Sequence, residues 1–174
     1  MTPETFITTV FFTVQTGQHV LDIGAGQGIF ARRFVDRGAH VVAVDPRGFE
    51  LNEHLLTARR LTIQKFIIND SAHYDLIFAR NVLQFLEKHW VFATLFPWIT
   101  DHLATNGVMA IETFFAEPKP PFSKPLISTY ELAELRTAWL QWPELLAGQY
   151  EYHGPDMQGA LRHFSTTDFV IQLP

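Results

Sequence analysis

The chain has 174 residues, 47% apolar and 18% charged, with no cysteine and a net charge of −5. That is enough for one globular domain over residues 1–174, and it excludes disulfides, thiolate chemistry and cysteine-held metals. The negative charge, without any Lys/Arg-rich run, argues against DNA or RNA as a partner. No apolar run reaches the ~18 residues of a membrane span, so a cytoplasmic protein is expected, as monomer or homodimer, with no metal.

In chain order, residues 1–18 hold a short helical segment. Residues 3–14 read as a helix capped by Thr2, with Pro3 in its first turn. Phe6, Val10 and Val14 lie four apart and give one apolar stripe, whose simplest role is to cover an edge of a sheet. Residues 19–23 and 40–45 are the apolar runs of buried parallel strands. Between them a helix over 28–36 turns Phe30, Phe34 and Val35 inward and Arg32, Arg33 and Arg37 outward, and stops at Gly38. Pro46 and Gly48 break the chain before a helix predicted over 49–60. Strands are predicted over 64–69 and from Tyr74, with no helix between them, a connection short for a parallel crossover.

A helix over 87–103 contains Pro97, so a kink is expected near Phe96. A strand over 108–115 runs into the proline-rich segment 116–125, read as a loop or flap. Ser128 caps a predicted helix over 128–139, with Glu131 three residues on. Strands over 149–153 and 162–173 form a hairpin about Gly154-Pro155-Asp156.

The densest signal is Val20-Leu21-Asp22-Ile23-Gly24-Ala25-Gly26-Gln27-Gly28, followed by an apolar run closing at Asp45. Strand, glycine turn, helix and a second strand ending in an acid make a nucleotide-binding half-site. A dinucleotide fingerprint would put its third glycine at Ile29, and a carboxylate at Asp22 disfavours a pyrophosphate. S-adenosylmethionine (SAM), a sulfonium with an ammonium group and no phosphate, suits the acid.

D-x-G-x-G-x-G with an acid ending the next strand resembles motif I of the class I SAM-dependent methyltransferases. Tyr74-Asp75-Leu76-Ile77-Phe78-Ala79-Arg80-Asn81 resembles that family's fourth strand and turn, and Asn106-Gly107-Val108-Met109-Ala110-Ile111-Glu112 its fifth. The resemblance implies an α/β, three-layer, Rossmann-like fold: a mostly parallel seven-stranded sheet with an antiparallel C-terminal hairpin. It implies SAM as cofactor and S-adenosylhomocysteine as product. Asp22 would favour the ammonium end. Gly24, Ala25, Gly26 and Gly28 would bring backbone to the methionine and ribose, and Asp45, followed by Pro46, would accept the ribose hydroxyls. Asn69, Asp70 and Ser71 would hold adenine. Arg80 and Asn81 stand where the family's backbone meets the methionine amine, and Leu83 or Phe85 packs against the ligand or in the core.

The C-terminal half, with Tyr130-Glu131-Leu132 and Tyr150-Glu151-Tyr152-His153, resembles the small tellurite-resistance branch. There a histidine followed by arginine, and a second arginine, serve an oxyanion acceptor. His153 matches the histidine, Gly154 stands in place of the adjacent arginine, and Arg162 is the candidate second arginine. His153 and Arg162 are therefore the candidate catalytic residues for methyl transfer to a small-molecule acceptor. Two other readings stay open: a SAM-binding module without catalysis, and a Rossmann-type NAD protein.

Overall fold

A computed structural model describes residues 2–119, 126–156 and 159–174. The first helix, α1 (Pro3–Thr13), is capped as expected, the Thr2 hydroxyl accepting from the Thr5 N–H. Then come β1 (His19–Ile23), α2 (Ile29–Val35) and β2 (His40–Val44). Both strands are apolar, and they pair in parallel, Val20 opposite Val41.

The next segment departs from expectation. In place of a helix over 49–60 stand two strands, β3 (Leu51–Asn52) and β4 (Leu56–Arg59). Leu56 and Ala58 are buried while Thr57 and Arg59 are half-buried. That two-residue alternation belongs to a strand, and β4 joins β2 in parallel. The predicted strand over 64–69 is instead one helical turn, α3 (Ile63–Phe66). Thr62 caps it by accepting from the Lys65 N–H, and Ile63 and Phe66, three apart, are both buried. The crossover from β4 to β5 (Tyr74–Arg80) therefore has an ordinary length and carries its own helix.

After β5 the chain forms a helical stretch in three pieces: α4 (Lys88–Trp90), a wide π turn over Val91–Leu95, and α5 (Phe96–His102). The irregularity expected of Pro97 thus falls in the turn before it, where the Phe96 N–H reaches back to the Val91 carbonyl. β6 runs over Leu103–Lys119, longer than predicted. Residues 116–119 are strand, with Pro118 at a register shift where a missing donor is tolerated. Residues 120–125 of the predicted flap lie outside the described residues.

Ser128 is not a cap: its hydroxyl donates to the Leu86 carbonyl. The cap of α6 (Leu132–Ala138) is Glu131, in a reciprocal box with Glu134. β7 (Glu144–Pro155) and β8 (Leu161–Gln172) form the expected hairpin; β7 is longer than predicted and takes in Gly154 and Pro155, expected in the turn, while β8 has the predicted length one residue earlier.

The described residues make an eight-stranded sheet in the order β3-β4-β2-β1-β5-β6-β8-β7. β1, β2, β4, β5 and β6 are parallel, and β8 runs antiparallel to β6 and β7. The short β3 is the strand beyond the expected seven. Helices cover both faces. On one, α1 and α2 bring Phe6, Val10 and Phe34 onto Val20, Val41 and Phe78. Phe6 stacks on Phe78 with ring centroids 6.0 Å apart, and burying each such side chain contributes about 1.5–3 kcal/mol. So α1 covers a face of the sheet, not an edge. On the other face Val91, Leu95, Ile99 and Trp139 pack on Ile77 and Phe169. No helix among the described residues is long and apolar enough to cross a membrane.

Candidate functional site

β1 ends at Ile23, and the chain turns at once. Gly24, Gly26 and Gly28 have φ of 76°, 56° and 76°, a left-handed backbone that side chains resist. Gly24 and Ala25 donate to the Val44 carbonyl at 2.8 and 3.2 Å, tying the turn to β2. A Cβ on Gly24 would stand 2.6 Å from Val82, and one on Gly28 would stand 2.8 Å from the Phe49 ring. The turn is thus held between those two side chains.

Two carboxylates flank it. Asp45 accepts from the Gly26 N–H at 3.1 Å and the Arg47 N–H at 2.6 Å, one on each oxygen. Each oxygen keeps a further lone pair. Pro46, beside it, is exposed. Asp22 is 2% exposed and accepts from the Ala31 N–H, a donor in the first turn of α2 that has no helical partner. Its Oδ2 has no hydrogen-bond partner. Burial pushes its pKa up to about 7, against the pull of the Ala31 N–H.

The end of β5 stands next to the turn. Ile23 pairs with Ala79, so the following residues, Gly24 and Arg80, stand at one level. The row continues across the sheet: Arg80 opposite Glu112, Glu112 opposite Asp168, Asp168 opposite Gly148. Arg80 meets Glu112 at 2.8 Å, and its guanidinium lies 4.9 Å from the centre of the Phe30 ring. Asn81, at φ 53°, donates its side-chain amide to Glu112 at 3.1 Å. Burial raises the pKa of Glu112 in spite of Arg80. Asp168 accepts from the Tyr150 hydroxyl at 3.4 Å. Burial first, and then the Glu112 carboxylate, push Asp168 up to about 8.

Sequence reasoning gave Glu112, Asp168 and Tyr150 no role. The signal available was an acid inside each of two apolar strand runs, Met109-Ala110-Ile111-Glu112 and Asp168-Phe169-Val170. Leu83 is fully buried in the core, and Phe85 is half-buried.

Other expected site residues stand elsewhere. Asn69, Asp70 and Ser71 lie between α3 and β5, at the amino edge of the sheet. Asp70 accepts from the Tyr74 hydroxyl at 3.1 Å, and Asp75 accepts from the His19 N–H, at the start of β1. The glycine turn is at the opposite end of β1, so these three residues do not reach it. The misplacement follows from the misread strand: β4 ends at Arg59, and the loop at the carboxyl edge is Arg60-Leu61-Thr62.

His153 and Arg162 stand near the tip of the β7–β8 hairpin. Gly154 pairs with Arg162, six residues beyond the Gly148–Asp168 pair, roughly 20 Å along the strand. The exposed His153 stacks on His163 at 4.7 Å. Arg162 is paired with Asp156 at 2.6 Å, and Asp156 also accepts from the Ala160 N–H to close the hairpin turn. The structure does not join either residue to the glycine turn. Among the described residues no cluster of three or more His, Cys, Asp or Glu could hold a metal ion.

Solved structures share this architecture. TehB from Haemophilus influenzae is 20% identical with a TM-score of 0.74, covering 96% of this chain, while this chain spans 62% of TehB. The N-methyltransferase NodS from Bradyrhizobium japonicum is 14% identical with a TM-score of 0.68, covering 98% of this chain and 95% of its own. Magnesium protoporphyrin IX methyltransferase from Synechocystis, with bound S-adenosylhomocysteine, is 11% identical with a TM-score of 0.70, covering 98% and 80%. A search of curated proteins found no match. A family model described as a methyltransferase domain matches residues 4–166, nearly the whole chain, and with the sheet order and glycine turn above it the chain belongs to the class I SAM-dependent methyltransferases.

Proposed function

We propose that the chain binds SAM at the glycine turn and transfers its methyl group to a small-molecule acceptor. The observation that carries this is the turn itself: three left-handed glycines, the middle one held by Asp45, above a buried Asp22 whose second oxygen lacks a partner. These residues fit the ligand. Backbone at Gly24, Ala25 and Gly26 comes close to it, the spare lone pairs of Asp45 accept ribose hydroxyls, and Asp22 offers negative charge to a cation. We assign adenine to Arg60, Leu61 and Thr62, which follow β4 at the carboxyl edge of the sheet.

SAM supplies a methyl group already activated by its positive sulfur. What remains for the chain is to align the acceptor and keep water out, and alignment alone lowers a barrier by roughly 7–11 kcal/mol in favourable cases. A small acceptor is supported by a neighbour from Burkholderia thailandensis whose structure holds 1,6-didemethyltoxoflavin with S-adenosylhomocysteine. A SAM-binding module without catalysis is the second reading, favoured by the distance of His153 and Arg162 from the turn.

Calorimetric titration with SAM and with NAD tests the donor. SAM is expected to bind and NAD not to; binding of NAD alone would sink the proposal. Release of S-adenosylhomocysteine on adding acceptors separates enzyme from module.

A further inference from the structure

The face that carries the glycine turn also carries polar groups that the methyl donor does not use. Glu112 and Asp168 are register partners on β6 and β8, 1% and 0% exposed. Glu112 Oε2 and Asp168 Oδ2 have no hydrogen-bond partner, and Thr166, 1% exposed and one pleat along β8, has its hydroxyl beside that of Tyr152. Burying such atoms unpaired is costly, so two carboxylate oxygens on facing strands point to a ligand with hydrogens to give.

The rest of the lining is aromatic. Tyr150 is opposite Thr166, and Tyr152 is opposite Phe164. The Tyr150 and Tyr152 rings lie 5.9 Å apart, and Tyr152 and Phe164 5.0 Å apart. Buried carboxylates beside aromatic rings suit an ammonium group, through charge-assisted hydrogen bonds and ring-face attraction. Arg80 meets Glu112 from the glycine-turn side and balances one carboxylate, which leaves Asp168 to face the incoming group. An oxyanion there would be repelled.

We infer that Glu112, Asp168 and Tyr150 form the acceptor subsite and that it takes a small amine, which makes the chain an N-methyltransferase. This rests on the SAM reading above. In the step, the ammonium form of the acceptor gives one proton to Asp168. The freed nitrogen lone pair forms the new N–C bond to the donor methyl. The C–S bond breaks, and its electron pair stays on sulfur as a thioether. The methylated nitrogen carries the positive charge away, and Asp168 returns its proton to solvent. Burial raises Asp168 to about 8, so the carboxylate form that takes the proton becomes the major one only above that pH, and the step speeds up as pH rises towards it.

The test titrates the full chain with S-adenosylhomocysteine and then, with that bound, with benzylamine, phenethylamine and dimethylamine. Benzyl alcohol, phenethyl alcohol and dimethyl ether serve as uncharged matches. Each amine is also incubated with SAM, and its N-methyl product is sought by mass spectrometry. At least one amine should bind about tenfold tighter than its match and be methylated. Asp168→Asn should remove that preference while leaving S-adenosylhomocysteine affinity within about twofold, and Glu112→Gln, whose carboxylate also holds Arg80 and Asn81, should remove the preference. Asp168→Asn keeps the side-chain shape and relieves a buried charge, so its melting temperature should equal or exceed the parent's. A fallen melting temperature would give Asp168 a structural role and overturn the inference. Amines that bind no better than their matches, or a preference that survives both variants, would overturn it too. Failure to bind S-adenosylhomocysteine overturns instead the SAM reading beneath it.

Discussion

Burial holds the Asp22 carboxyl at about 7, well above the 3.8 of an exposed aspartate. Below pH 3.8 the folded and unfolded chains are both protonated there, and the group costs nothing. Between 3.8 and 7 the folded chain keeps a proton that the unfolded chain sheds. Stability therefore falls as pH rises, by about 1.4 kcal/mol per unit. Above 7 the loss is complete, on the order of 4 kcal/mol for this buried group. Asp22→Asn removes the penalty, so the variant's melting temperature should exceed the parent's by more at about pH 8 than at about pH 5. A constant difference across that range would refute the assignment.

Asp45 has two duties. It laces Gly26 to Arg47, and in the proposed function its remaining lone pairs accept from the ribose. Asp45→Ala should cost about 1–3 kcal/mol of stability through the two N–H groups left behind, readable by urea unfolding. It should also abolish most SAM affinity in a titration at a temperature where the variant is folded; affinity retained there would overturn the ribose role. Both acids were legible in the sequence because short-range spacing places them beside the turn. Glu112 and Asp168 were not, because their meeting depends on a register between residues far apart in the chain.

At the scale of elements, apolar periodicity served where runs were long and failed where they were short. β1 and β2 stand where their apolar runs predicted. Residues 49–60 were misread because four strand residues, Leu56 to Arg59, carry too little alternation to outweigh a helix reading. Residues 64–69 were misread because Phe66-Ile67-Ile68 looks like a strand, while the cap at Thr62 begins a helical turn. Those two errors put the adenine expectation on Asn69, Asp70 and Ser71. The glycine turn is less forgiving than either segment. Gly24→Ala meets both the left-handed φ and the Val82 clash, so it should lose about 1–3 kcal/mol or more of stability in urea unfolding. A variant as stable as its parent would show that the turn relaxes.

For the whole molecule, sheet order decides which residues can cooperate. The parallel strands bring Gly24, Arg80 and Glu112 to one edge, and β8 adds Asp168 to the same row. The expected catalytic residues are on the hairpin but beyond that row. His153→Ala should accordingly leave the rate of methyl transfer unchanged with any acceptor that is turned over, measured as S-adenosylhomocysteine release; a fall of about tenfold would put His153 back in the mechanism.

The strand order also carries a consequence in time. β8 is the last strand in the chain, yet it lies between β6 and β7. The glycine turn needs only β1, β2 and β5, and all three are complete by Arg80. The acid row exists only once Asp168 has entered the gap, a closure that pairs Val108 with Gln172 across more than a third of the chain. Such distant pairings are slow, because the loop must be closed before the contact repays it. During synthesis the glycine turn is therefore the early piece, and the acid row beside it is finished last.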